Sequence, residues 1–237
     1  MTWQRIPGLR DTLEDLNKQT YKDFTLYISN GNLEQSETVD AIVKKFGGRL
    51  KIIVSHDGND MKTFRRLYQG KRMAEDGANV IMFIDDDIEY APRYVATALK
   101  SYEPHTYKSG FAWSFTDHGS DYYKNRIRRW DNENAVHYCG TGVSMIDAKI
   151  FLEEGLFDAP EGAKGIEDLW LSYYADQVLS WHLKYMPVKQ YFNIGGADSV
   201  ALYKTYLDAS YTTADFLLEL VDMGWNIECP WWDSNPH

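Results

Sequence analysis

Three times before Lys100, a short apolar run is followed by a segment of helical period, with only a few polar or glycine residues between them. Phe24–Ile28, Leu50–Val54 and Val80–Ile84 are rich in β-branched and aromatic residues, as strands buried on both faces require. Leu9–Lys18, with Leu9, Leu13 and Leu16 on one stripe after Pro7-Gly8, reads as a helix, as do Val39–Phe46, Thr63–Glu75 and the stretch from Pro92 to Lys100. This alternation predicts an α/β fold with a mostly parallel central sheet flanked by helices. In such sheets ligands bind beyond the carboxyl ends of the strands. The three strand exits carry Asn30, Asp57 and the run Asp85-Asp86-Asp87, so these residues are expected to converge on one crevice.

The aspartate run is the sharpest chemical signal. Three carboxylates at the end of a buried strand repel one another unless a cation or strong donors compensate. Oxygen ligands of this type suit a hard divalent ion, Mg²⁺ or Mn²⁺, of the kind that bridges to nucleotide phosphates. Strand alternation places residues i and i+2 on one side, so Asp85 and Asp87 are the expected metal ligands. A solvated acidic turn is the competing reading.

Downstream, Phe111–Phe115 reads as a strand and Thr116–Glu133 as a polar, mobile loop. Val136–Met145 contains Cys139-Gly140-Thr141-Gly142, where glycines let the backbone approach a ligand closely. Ala148–Glu154 reads as a short helix, Gly165–Trp170 opens another, Trp181–Met186 is a strand and Tyr211–Met223 an amphipathic helix. No linker divides the chain, so residues 1–237 read as one domain, about 1–110 forming a nucleotide-binding half and about 111–237 an acceptor-binding half. The net charge of −10 argues against a broad nucleic-acid-binding face. The basic clusters at Lys124–Arg129 and Lys62–Arg72 read as solvated faces. Cys139 and Cys229 have neither disulfide-framework nor zinc spacing. With neither a signal peptide nor a membrane-spanning run evident, a soluble, cytoplasmic protein is expected. The aromatic content, 15 % with 8 Trp and 17 Tyr, suits sugar or base stacking and core packing alike.

Four motifs in order resemble those of the GT-A fold glycosyltransferases of the large family-2-like group, over roughly residues 1 to 190. Gln19–Phe24 is similar to the junction before that group's second strand, and Phe83–Asp87 to its DxD motif. Gly140-Thr141-Gly142 followed by Gly155-Leu156-Phe157-Asp158 resembles its glycine turn and G-x-F-D segment, and Glu167-Asp168-Leu169-Trp170 its ED motif. The resemblance implies a single GT-A, Rossmann-like domain that transfers a sugar from a nucleoside-diphosphate donor, UDP-sugars favoured, with a divalent metal on the diphosphate. It puts metal ligands at Asp85 and Asp87, Asp86 near the donor ribose or sugar, and base-binding positions near Thr2, Asn30, Asp57 and Arg66. The ED motif implies an acceptor site at Glu167 and Trp170, with Asp168 as general base of an inverting reaction. Three departures stand out. Met1–Arg5 matches only the end of the family's first strand, as in a truncated or trimmed chain. Ser29-Asn30-Gly31-Asn32 replaces the two aspartates common at the second-strand exit. Gln190–Asp198 lacks the histidine that often serves as a later metal ligand, leaving Asn193, Asp198 or water for that position.

The residues fit this chemistry. A metal neutralises the departing diphosphate, and Asp168 takes the acceptor proton if it lies within about 3 Å of the hydroxyl. A helix start is expected to keep Asp168 ionised, although simple capping explains Glu167-Asp168 equally well. Gly140 and Gly142 are expected to turn backbone amides toward the donor sugar, and Trp170 to stack on a sugar ring or to fill the core. The rival readings are a sugar-phosphate nucleotidyltransferase and a non-catalytic carbohydrate-binding module. The first typically needs a basic, Gly-rich loop near the N-terminus, and the second leaves the carboxylates unexplained. A glycan is the expected acceptor; a nucleic-acid acceptor is disfavoured by the charge.

Overall fold

A computed structural model describes residues 5–58, 61–116, 122–195 and 212–227. Thr2 and Asp198 therefore lie outside the described residues. In chain order the elements are α1 (Ile6–Asn17), β1 (Thr25–Asn30), α2 (Ser36–Phe46), β2 (Lys51–His56), α3 (Arg65–Glu75), β3 (Val80–Ile84), β4 (Ile88–Tyr90) and α4 (Tyr94–Lys100). They continue as β5 (Thr106–Ser109), β6 (Ala112–Phe115), β7 (Arg126–Arg129), β8 (Tyr138–Cys139), β9 (Val143–Asp147), α5 (Glu167–Tyr173), β10 (His182–Tyr185), β11 (Phe192–Ile194) and α6 (Thr213–Asp222).

The α/β alternation of the first half is as expected, and it sets the layers. β1 and β2 pair in parallel, from Thr25 opposite Lys51 to Asn30 opposite His56. β9 lies antiparallel between β3 and β5, and β5 pairs in parallel with β10, giving the order β10-β5-β9-β3. β4 and β11 form a small antiparallel ribbon, and β7-β6-β8 an antiparallel three-stranded sheet. The last of these corrects the expected loop at Thr116–Glu133, because Arg126–Arg129 is a strand. Ala148–Glu154 is likewise not a regular helix but a 3₁₀ turn over Ala148–Leu152, followed by a second over Glu154–Phe157.

Burial follows the sequence periods. Leu9, Leu13 and Leu16 of α1 pack with Ile28, Val39, Ile42 and Leu50 into a core belonging to the β1–β2 side. A larger core gathers Phe83, Tyr107, Ile146, Phe151 and Leu169 under β3, β5, β9 and α5. Gly70 of α3 lets Phe151 dock, since a Cβ there would lie 2.5 Å from the ring. β1 and β3 are not paired with each other. A cleft of about 1030 Å³ is lined by both, and its lining includes Ser29, Arg66 and Gln69. α6 opens with a capping box between Thr212 and Asp215. Cys139 is buried in β8. No described helix is long and apolar enough to cross a membrane.

Candidate active site

The three strand exits each place a polar group at the same end of the fold. At the end of β1, Asn30 is fully buried: its amide nitrogen donates to the Asn32 carbonyl (2.8 Å) and its oxygen accepts from the Asn32 N–H (3.0 Å). Just past β2, the Asp57 carboxylate accepts from Ser29 Oγ (2.6 Å), Ser55 Oγ (2.7 Å) and Gln69 Nε2 (3.0 Å). Its backbone N–H donates to the Asn30 carbonyl at 3.0 Å, tying the two exits together. Arg65, at the start of α3, donates to the Gly58 carbonyl at 2.6 Å. Its guanidinium lies where a side chain at Gly31 would sit, so any larger residue there would have to displace it. Burial lowers the Arg65 pKa, while Asp57 acts to raise it.

Asp85, Asp86 and Asp87 form a turn between β3 and β4 rather than an extension of β3. Strand alternation therefore does not order them; arginines do. Arg5 Nη1 reaches Asp87 Oδ2 at 2.7 Å and Asp86 Oδ1 at 3.2 Å. Arg66 Nη2 reaches Asp85 Oδ1 at 2.5 Å. Asp85 and Asp87 nevertheless feel each other. Burial raises the Asp87 pKa first and the Asp85 charge raises it further, against the pull of Arg5. The turn is buttressed from below. The Tyr90 hydroxyl accepts from the Asp85 N–H (2.9 Å) and donates to the Gly142 carbonyl (2.7 Å). A Cβ on Gly142 would lie 2.6 Å from Asp85 Oδ2, so the glycine makes room for the carboxylate. Gly140 is a packing glycine instead. Its N–H donates to the Phe111 carbonyl at 2.9 Å, and that amide does not face outward as expected.

Arg66 is the hub. Besides Asp85, it donates from Nη1 to Glu167 Oε1 (2.9 Å) and to the Thr141 hydroxyl. Both Arg66 and Glu167 are buried, with side-chain exposures of 8 % and 4 %. Burial disfavours the guanidinium charge, but Asp85 and then Glu167 more than offset this and hold it ionised. The guanidinium thus joins the β3 exit to the first turn of α5 across 101 residues of sequence. Its partners are these carboxylates, while Arg65 is the arginine beside Asp57.

Asp168, next to Glu167, accepts from the Tyr138 hydroxyl at 2.5 Å and from the Leu169 N–H at 3.0 Å. Its pKa is pushed up to about 7, first by burial and then by the Glu167 charge, with Tyr138 and Arg66 pulling it back. The expected ionising influence of the helix start is outweighed. A carboxyl poised near neutrality is what proton transfer at physiological pH requires. Trp170 is 4 % exposed, donates to the Leu156 carbonyl (2.8 Å) and stacks on Tyr173 at 5.5 Å, so it is a core residue and not a sugar platform.

Among the described residues no group of three or more His, Cys, Asp or Glu side chains forms a metal cage. Asn193 is an exposed residue of β11 opposite Glu89. Asp85 and Asp87 by themselves still suit Mg²⁺ or Mn²⁺, which bind through one or two carboxylates and leave the remaining positions to phosphate and water. Both side chains keep about a third of their surface accessible, at 33 % and 36 %. Four contributors carried no sequence signal of their own: Arg5, Arg65, Thr141 and Tyr138. Arg65 and Arg66 lie in the basic cluster expected to be a solvated face, but both are buried.

In fold the chain is similar to S. aureus TarS, with a TM-score of 0.54 at 14 % identity over 87 % of this chain and 37 % of that one. It is also similar to S. aureus TarS 1–349 in complex with UDP, with a TM-score of 0.59 at 13 % identity over 96 % of this chain and 65 % of that one. A third similar structure, GalNAc-T7 with UDP, GalNAc and Mn²⁺, gives a TM-score of 0.50 at 14 % identity over 74 % of this chain and 39 % of that one. The chain spans less than two thirds of the length of each. At such identities the likeness establishes the GT-A, Rossmann-like fold. No curated protein sequence matches the chain. The sequence profile of glycosyl transferase family 2 matches residues 1–152 of the 237, and the chain belongs to that family.

Proposed function

We propose that the chain is a metal-dependent glycosyltransferase that moves a hexosyl-type sugar from a nucleoside-diphosphate donor to an acceptor hydroxyl with inversion at the anomeric carbon. The observation that carries this reading is the Arg66 bridge, which draws Asp85 and the Glu167-Asp168 pair into one site. Family membership supports the reaction class. UDP is the favoured nucleotide, supported by the UDP-bound TarS structure and by GalNAc-T7 with UDP, GalNAc and Mn²⁺.

Asp85 and Asp87 would hold Mn²⁺ or Mg²⁺, with Asp86 facing the donor ribose or sugar. Once bound, the ion supplies Lewis-acid stabilisation of the charge that develops on the leaving diphosphate. Asn30, Asp57 and Arg65 form the nucleotide side, with Thr2 expected near the base. Asp168 accepts the proton of the acceptor hydroxyl as that oxygen bonds to the anomeric carbon. The bond from that carbon to the phosphate oxygen breaks, and its electron pair leaves with the diphosphate. Tyr138 donates to one carboxylate oxygen of Asp168 and the Leu169 N–H to the other, which fixes the orientation of the base. Glu167 acts on the acceptor side through its ion pair with Arg66, and Gly142 keeps the wall beside Asp85 open.

Turnover of a panel of nucleotide sugars with Mn²⁺ tests this. Asp85→Asn and Asp87→Asn should abolish metal-dependent donor hydrolysis, and Asp168→Asn should keep donor binding while losing transfer. Unchanged turnover in the first pair would remove the metal assignment, and normal transfer in the third would remove the base.

A further inference from the structure

The basic stretch at Lys124–Arg129 becomes a structured surface in the three-stranded sheet. Register puts Arg128 opposite Trp113, and Trp113 opposite Tyr138, so the three share one face. Tyr138 ends that row with its hydroxyl on Asp168. Arg126, two residues before Arg128, lies on the same face. Its guanidinium carbon sits 4.2 Å from the Trp113 ring centre and 4.3 Å from that of Tyr122. The Arg128 guanidinium lies 4.1 Å from Trp130 and 4.7 Å from Phe111, and Lys189 Nζ lies 4.0 Å from Trp130.

These cations are held by rings rather than by acids. Among the described residues, Arg126, Arg128 and Lys189 have no carboxylate partner, although the chain carries 35 acids against 25 Lys and Arg. Arg126 Nη1 donates to the Tyr122 hydroxyl (2.7 Å) and Arg128 Nη2 to the Gly110 carbonyl (3.1 Å). Neither these bonds nor cation–π contact neutralises a guanidinium, so its charge and remaining N–H donors are left for an incoming anion. The Arg128 Nε is buried without a hydrogen-bond partner. Two cations at i and i+2 stand about 7 Å apart along the strand, a spacing that suits charges repeated along a polymer. Single-stranded nucleic acid needs free ring faces for its bases; here guanidinium and ammonium groups lie over Trp113 and Trp130. The ligand is therefore selected by its anionic groups and not by stacking.

We infer that the face formed by Arg126, Arg128, Trp113, Trp130 and Lys189 binds an anionic glycan acceptor, its charge supplied by uronate or phosphodiester groups, and leads it along the Arg128–Trp113–Tyr138 row to Asp168. This rests on the reading of Asp168 as base, but the face can be tested by binding alone. The probes are an oligogalacturonate, a glycerol-phosphate oligomer, a neutral maltooligosaccharide and an oligothymidylate of matched length, at low and moderate salt. At least one of the two anionic glycan-type probes should bind tenfold or more tighter than the neutral sugar and weaken about tenfold with added salt. The uronate and phosphate arms tell the two charge sources apart. The double variant Arg126→Gln/Arg128→Gln should lose at least tenfold of this affinity while UDP–Mn²⁺ binding stays within twofold. Should that variant also lose UDP, Lys189→Gln at the exposed end decides, and an unchanged affinity there overturns the proposal. Equal binding of neutral and anionic sugars, or tighter binding of the oligothymidylate, overturns it too. Anionic-glycan binding without any UDP–Mn²⁺ affinity would support the surface and sink the glycosyltransferase reading instead.

Discussion

Tyr138→Phe tests the base most directly. The substitution removes one hydroxyl, the donor at 2.5 Å to Asp168, and leaves the ring that packs 6.2 Å from Phe115. A hydrogen bond to a charged group contributes about 1.5–3 kcal/mol. At about 1.36 kcal/mol per pKa unit, its loss should raise the Asp168 value by roughly 1 to 2 units. The starting value is about 7, set by burial and Glu167 against Tyr138 and Arg66. A base works only when ionised, so activity lies above its pKa, and raising that pKa moves the acid limb of the profile to about pH 8–9. Near pH 7 the ionised fraction falls from about one half to between roughly a tenth and a hundredth, so transfer should slow about five- to fiftyfold. The assay is kcat/KM for transfer from about pH 5.5 to 9.5, with UDP–Mn²⁺ affinity followed in parallel. Transfer should recover near the alkaline end, which a merely misfolded variant would not show. An acid limb that stays in place, with the rate reduced equally at every pH, would refute the reasoning.

Asp168→Asn should lose transfer yet stabilise the fold at alkaline pH. The folded pKa lies above the ordinary value, so the fold favours the protonated carboxyl and loses stability as pH rises from about 4 to about 7. Three units correspond to up to about 4 kcal/mol, so urea unfolding should show a gain at pH 8 that vanishes toward pH 4; an equal gain at both would contradict the assignment. Arg66→Met leaves Glu167 buried and uncompensated, at a cost of about 3–5 kcal/mol, and should lower Tm by roughly 6–20 °C. Arg66→Met/Glu167→Met should recover most of that loss, and a single variant that melts like the parent would show that the bridge is not structural. Gly142→Ala forces a Cβ to within 2.6 Å of Asp85 Oδ2. It should weaken Mn²⁺-dependent UDP binding about tenfold, or about 1.4 kcal/mol, with metal-free binding unchanged; calorimetry showing no loss would separate Gly142 from the site.

What the sequence shows most plainly is what local pattern controls. Val80–Ile84 could be read as a strand to the residue because five apolar positions end abruptly at three acids. The strand at Arg126–Arg129 shows no apolar alternation, because three of its four residues are arginines, and the rings that hold it come from Phe111, Trp113, Tyr122 and Trp130. The partners of Arg65 and Arg66 were equally hidden. One arginine faces Gly58 and the other faces Asp85 and Glu167, and helical phase alone does not say which. The titration of Asp168 is a tertiary property, set by burial and Glu167 and moderated by a tyrosine 30 residues away. Trp170 suits either reading in sequence, and the hydrogen bond from its indole N–H to the Leu156 carbonyl makes it a core residue.

The cleft between β1 and β3 has a mechanical consequence. The β1–β2 side has its own core and meets the rest through α3, through α1 against β4, through the Arg5 ion pairs to Asp86 and Asp87, and through Phe24 and Ile84, which pack against both neighbouring cores. With no strand-to-strand hydrogen bonds across the gap, sliding one side past the other breaks no ladder. Asn30 and Asp57 ride on one side of that joint, and Asp85 to Asp87 on the other. A nucleotide gripping both would add a brace to those that Arg5 and α1 already supply. Its affinity would therefore report on the stiffness of the domain as much as on the contacts it makes.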